Sequence, residues 1–160
     1  MSEGKVYTEP EAHRHFAAKL NGEVWGLLEK ADRSSADDEL MIHAAHASCR
    51  HWLKVGSGLH HQRAEWLIAH VYSELGLANA ALRHANRCQA LTGEYADLME
   101  DFDRAYAYEA MARANALAGN QAEALEYLQL AEAAGQVIAD DQSKQFFIGD
   151  LQGGDWHGLR

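Results

Sequence analysis

The chain has 160 residues, a net charge of −10 at neutral pH, 48% hydrophobic and 24% charged residues, and a single proline. That length allows one domain with a real core, and the scarcity of proline and wealth of alanine favour helices over sandwiches or barrels. The acidic balance excludes general nucleic-acid binding and docking on anionic membranes, since both need a basic surface.

The first helix is expected to begin at Thr8-Glu9-Pro10-Glu11. This is a capping-box pattern: the threonine accepts from early amides and Glu11 reaches back. Phe16, Leu20, Val24, Leu27, Leu28 and Ala31 recur at helical spacing and mark its buried stripe. Ser35 caps a second helix, with Asp37, Asp38 and Glu39 at its positive end. Its apolar line runs through Ile42, Ala45, Cys49, Trp52 and Leu53, and Gly56-Ser57-Gly58 ends it, glycine supplying a left-handed C-cap.

The third helix covers 59–75, with Ala64, Ile68, Val71, Tyr72 and Leu75 on one side and Arg63, Trp66, His70 and Ser73 on another. After Gly76 a fourth helix places Ala78, Ala81, Leu82, Ala85 and Cys88 inward, small residues that let two backbones approach closely. A looser segment follows Thr92-Gly93-Glu94. The fifth helix spans 101–118 and stops at Gly119; Asn120 caps a sixth with Ala124, Leu125, Leu128 and Ala131 buried and Gly135 at its end. A seventh covers 138–148. The tail from residue 149 reads as irregular, with Phe146, Phe147, Leu151 and Trp156 as apolar anchors for this end of the chain.

Cys49 and Cys88 both fall in helical patterns and read as reduced, buried small residues. The N-terminal segment has no apolar run of the kind a signal peptide or membrane anchor needs, so a cytoplasmic location is expected. Ten histidines make the charge sensitive to pH: full protonation would move it from −10 to about zero, because imidazole titrates near ~6.5. Solubility is therefore expected to fall between pH 7.5 and 5.5; a flat solubility profile over that range would refute this.

Two segments share one spacing. Ile68-Ala69, Tyr72, Gly76, Ala81, Ala85 and Cys88 are matched by Met111-Ala112, Asn115, Gly119, Ala124, Leu128 and Ala131, at a constant offset of 43 residues. A repeated helix pair is the mark of an α-solenoid. The pattern resembles the tetratricopeptide repeat family over 63–93 and 106–135: Ala69 and Ala112 match the small residue of the first helix, and Ala81 and Ala124 that of the second. Tyr72 matches the family's aromatic, and Gly76 and Gly119 its turn. The repeat departs from the family in being longer than ~34 residues, in Asn115 and Ala85 replacing larger residues, and in lacking the closing proline.

The resemblance implies an all-α, right-handed α-α superhelix of about seven helices, one domain over 1–160. It divides into an N-terminal helix pair (1–58), two repeats (59–94 and 95–135) and a capping helix with its tail (136–160). It also implies that the first helix of each pair lines a concave face that binds peptides. That assigns Arg63, Trp66, His70 and Glu74 from one repeat, and Tyr106, Glu109 and Arg113 from the other, to the groove. Aromatic residues and arginine are the types that dominate binding hot spots. The family's clamp for a C-terminal carboxylate uses lysine and asparagine where this chain has Trp66, His70, Glu109 and Arg113, so that specialisation is not expected.

The expected function is a non-catalytic interaction module for a protein or peptide segment, with self-association as a further possibility and no cofactor. The rival reading is a metal-binding helical-bundle enzyme. His43 and His46 lie three apart on the second helix, and His60, His61 and His70 are on the third. Neither HExxH nor a cysteine pair accompanies them, and no metal ligand is assigned. Nucleophile elbows and phosphate-binding glycine loops are absent, and Asp37, Asp38, Asp101, Asp103, Asp140 and Asp141 fall near helix starts, where they favour the dipole.

Overall fold

The computed structural model describes residues 4–160; the first three residues of the N-terminal segment lie outside that range. The chain is all-α, with seven helices and no strand among the described residues. They are α1 (Glu9–Leu28), α2 (Ser35–Val55), α3 (Gly58–Glu74), α4 (Ala78–Glu94), α5 (Asp101–Ala118), α6 (Gln121–Gln136) and α7 (Asp141–Gln152), with a short 3-10 turn at Ala96–Leu98. The most extensive interfaces join α1 to α2, α3 to α4 and α5 to α6; α3 also touches α5, and α7 lies against both α5 and α6. No helix among the described residues is long and apolar enough to cross a membrane.

The two central hairpins turn in the same way, bond for bond. Gly76 and Gly119 adopt φ of 73° and 82°, the left-handed conformation that glycine enters without a Cβ penalty. Around them, Gly76 N–H donates to Ser73 and Leu77 N–H to Tyr72, while Gly119 N–H donates to Ala116 and Asn120 N–H to Asn115. These are the paired bonds of a Schellman motif, which satisfy carbonyls left over at a helix end. The next helix then opens with Ala81 N–H on the Leu77 carbonyl and Ala124 N–H on the Asn120 carbonyl, both at 2.9 Å. Asn115 replaces Tyr72 by a local device: its side chain binds the Met111 carbonyl and accepts from Asn120.

The core is a seam of three clusters. Val24, Met41, Ala45, Cys49, Leu67, Ile68 and Val71 join the first three helices. The middle is built from small side chains, Ala69, Ala81, Ala85, Ala110 and Ala114 with Met111, so α3, α4 and α5 pack closely. Ala112, Ala124, Leu128, Ala131, Phe147, Leu151 and Trp156 close the far end. Buried polar groups pin the seam: Ser48 donates to the Ala17 carbonyl at 2.7 Å, and Gln62 bridges Thr92 on α4 and the Asp103 carbonyl on α5.

Several expectations need correction. Thr8 and its capping box stand where expected, but the cap of α2 is Ser34, whose hydroxyl accepts from Asp37 N–H. Gly56 is extended (φ −89°, ψ 175°) and not left-handed. The need for glycine in that loop lies at Gly58, where an added Cβ would meet the Tyr95 ring 2.2 Å away. Phe16, Leu53 and Leu125 are exposed; next to Phe16 and Leu125 the buried positions are the smaller Ala17 and Ala124. Phe16 instead packs at the surface beside the rings of His15 and His51. α7 starts at Asp141, whose preceding residue Asp140 caps it by accepting from Ser143 N–H, and continues to Gln152 into the stretch expected to be irregular. Of the two phenylalanines only Phe147 is buried; Phe146 is 63% exposed.

Cys49 and Cys88 are free and buried. Burial also holds His46, His51 and His60 below the usual imidazole range, so the acidic chain neutralises at a lower pH than ten unperturbed histidines would give.

Candidate functional site

The offset of 43 residues has a spatial counterpart. Trp66 on α3 and Glu109 on α5 occupy equivalent positions of the two hairpins, and the indole Nε1–H of one donates to the carboxylate of the other at 3.1 Å. The other candidates gather around this contact. His70 stacks on Trp66 with ring centroids 4.9 Å apart, and Tyr106 meets its edge at 5.3 Å. All six residues, Arg63, Trp66, His70, Tyr106, Glu109 and Arg113, thus lie on one face shared by α3 and α5.

Each arginine on this face already holds a carboxylate. Arg63 donates to both oxygens of Asp103 at 2.8 and 3.0 Å. Asp103, itself buried, also accepts from Glu100 N–H. The paired carboxylate, against the opposing effect of burial, raises the Arg63 pKa. Arg113 donates to Glu109, which is 2% exposed. Its guanidinium also donates to the carbonyls of Asp150 at 2.7 Å and Gly153 at 2.9 Å, and lies 4.1 Å over the Trp156 ring. Tyr106 donates its hydroxyl to Asp150, and burial followed by that carboxylate pushes the phenol well above its usual range.

The C-terminal segment therefore does two things. Phe147, Leu151 and Trp156 cover the end of the α5/α6 pair, while Asp150, Gly153 and Gly154 border the α3/α5 face. Between them and α1 lies a cleft of about 330 Å³ lined by Trp25, Arg63, Trp66, Asp103, Tyr106 and Asp150. A second hollow of about 260 Å³ shares Trp25, Trp66 and Asp150 and extends past His70 to Glu74.

Sequence reasoning missed three of these residues. Trp25 comes from α1, outside the repeat, and stacks on Trp66 with centroids 6.0 Å apart. Asp150 comes from the far end of the chain, and no spacing links it to Tyr106. Asp103 reads as a helix-start carboxylate, which it also is; its position three residues before Tyr106, on the same helix face, was the available signal.

The histidines of the rival reading disperse. His43 is exposed, His46 lies 2.8 Å from the Tyr72 hydroxyl, His60 stacks on Trp52, and His70 belongs to the cleft. His61 alone meets potential metal ligands: among the described residues, Cys49, His61 and Glu65 bring one ligand atom each within 4.8 Å of one another. Comparison with known proteins adds no assignment: the chain matches no protein-family model, no curated protein and no solved structure.

Proposed function

We propose that this chain is a short tetratricopeptide-like array, right-handed in its stacking, that binds a peptide segment in the α1/α3/α5 cleft and catalyses no reaction. The observation that carries this reading is the composition of the cleft wall. Trp25, Trp66, His70 and Tyr106 offer a continuous aromatic surface, and Trp25 is 40% exposed. The ionisable groups most deeply set in it are matched to one another as Arg63–Asp103 and Arg113–Glu109, an arrangement suited to holding shape rather than moving protons.

Charge narrows the ligand. With both arginines matched, Asp150 and Glu74 remain at the rim, and neither makes an ion pair among the described residues. An extended segment carrying lysine or arginine beside apolar side chains satisfies both features: its cation meets the carboxylates and indole faces, and its apolar groups lie on the aromatic wall.

Intrinsic tryptophan fluorescence tests this, with cellulose-bound peptide arrays read by the purified protein. Basic-apolar peptides are expected to bind and to shift the emission. Trp25→Ala and Asp150→Asn should each weaken them by roughly tenfold or more, the scale of a hot-spot contact. Binding by both variants that matches the wild type's, or a preference for acidic peptides, would remove the cleft as the site.

A further inference from the structure

On the side of α3 that faces α2 and α4, three side chains converge that the peptide cleft does not use. Cys49 projects from α2, and His61 and Glu65 stand one turn apart on α3; Cys49 and Glu65 are buried, and His61 is largely so. Glu65 does not behave as a carboxylate satisfied by one partner. Its Oε2 accepts from His84 Nδ1 on α4 at 2.6 Å, while its Oε1 faces His61 Nε2 at 3.6 Å, too far for a hydrogen bond. Ligands at zinc bond lengths of ~2.0–2.3 Å stand about 3.3–3.8 Å from one another around a tetrahedral ion. The His61–Glu65 gap is already at that separation, and the thiol lies within 4.8 Å of one ligand atom of each residue, so a sub-ångström to ~1 Å side-chain adjustment closes the triangle.

We infer that Cys49 Sγ, His61 Nε2 and Glu65 Oε1 form a binding site for a zinc-class divalent transition metal, with its fourth position open. Charge and ligand type both support this class. One thiolate and one carboxylate balance a dication, so the bound centre is neutral in a desolvated place. Thiolate with imidazole selects zinc-like ions over calcium or magnesium, which take oxygen ligands. On binding, the Cys49 thiol gives its proton to solvent, and the imidazole binds in its neutral form.

His84 is a positioning residue. It holds the oxygen of Glu65 that the ion does not use, stacks on Tyr72 and meets the edge of His46, and His46 in turn reaches the Tyr72 hydroxyl. Such outer partners orient a ligand, and their loss typically weakens metal affinity by ~10–100-fold. The ion would tie α2 to α3, joining the N-terminal helix pair to the first repeat.

Cobalt(II) is the probe, because thiolate ligation gives a sulfur-to-cobalt charge-transfer band and tetrahedral geometry gives intense visible bands. Metal-free, reduced protein titrated with Co²⁺ is expected to develop both at one equivalent and to lose them to Zn²⁺. Cys49→Ala abolishes the charge-transfer band; Glu65→Gln and the less buried His61→Ala abolish stoichiometric binding; His84→Phe weakens it ~10–100-fold while keeping the band. Zinc at a hundredfold excess over Kd raises the melting temperature of the wild type by roughly 5–10 °C and leaves His61→Ala unmoved. Far-ultraviolet circular dichroism checks that each variant folds, and His61→Ala decides if the buried-site variants do not. No charge-transfer band, or a band that survives Cys49→Ala, overturns the site. So does an equal zinc response in His61→Ala.

Discussion

Replacing Arg113 with alanine is expected to destabilise the protein by about 3–5 kcal/mol, the cost of leaving one member of a buried ion pair without its partner. Glu109 is almost fully enclosed, and after the substitution only the Trp66 indole still donates to it. The same substitution removes two charge-assisted bonds to the Asp150 and Gly153 carbonyls and the guanidinium that covers Trp156. The C-terminal segment then loses its guanidinium attachments to α5 and keeps the Tyr106–Asp150 hydrogen bond. Urea unfolding followed by circular dichroism should show a lower midpoint at unchanged slope, and native-state proteolysis should cut the chain beyond residue 149 sooner. Arg113→Lys should fall between, since lysine keeps the charge without the planar fork that reaches Glu109 and two carbonyls together. A loss below about 1 kcal/mol in Arg113→Ala, the range of an exposed pair, would mean that the Glu109 cluster is solvated.

What the sequence made legible follows how local each signal is. The turns at Gly76 and Gly119, the Thr8 cap and the limits of α5 depend on residues within one helical turn of each other. The gathering of the six cleft residues was legible because the offset of 43 carries one hairpin onto the next. Burial was read less well. Alanine takes many of the inner positions, with Ala81, Ala85, Ala112, Ala114 and Ala124 closing helix contacts, and a stripe drawn through the large apolar residues misplaced Phe16, Leu53 and Leu125. Contacts made from outside the repeat had no signal at all. Trp25 on Trp66, Asp150 on Tyr106, and Cys49 beside His61 and Glu65 depend on how helices cross, and no periodicity reports that.

The end of the molecule where α7 docks provides the other large effect. Phe147 is fully buried, meets Tyr106 edge-on at 4.8 Å and lies so close to Gly135 that an added Cβ there would come within 2.5 Å of the ring. Phe147→Ala is therefore expected to cost about 3–5 kcal/mol, the range for emptying a packed aromatic site. Gly135→Ala should cost about 1–3 kcal/mol in the wild type by overpacking against the same ring. Combined, the two should not add. With the ring gone, a methyl group at 135 has room, and alanine is better than glycine by roughly 0.5–1 kcal/mol inside a helix. Gly135→Ala should thus change sign and stabilise the Phe147→Ala protein, which a double-mutant cycle measures directly. If Gly135→Ala destabilises both backgrounds equally, the close approach of α6 to the ring is not what requires glycine at that position. The same cycle reaches the cleft, because Phe147 seats the helix that carries Asp150. Phe147→Ala should weaken basic-peptide binding even where it remains folded, and Gly135→Ala should restore the fold more than the binding, since a methyl group fills space without returning Asp150 to Tyr106.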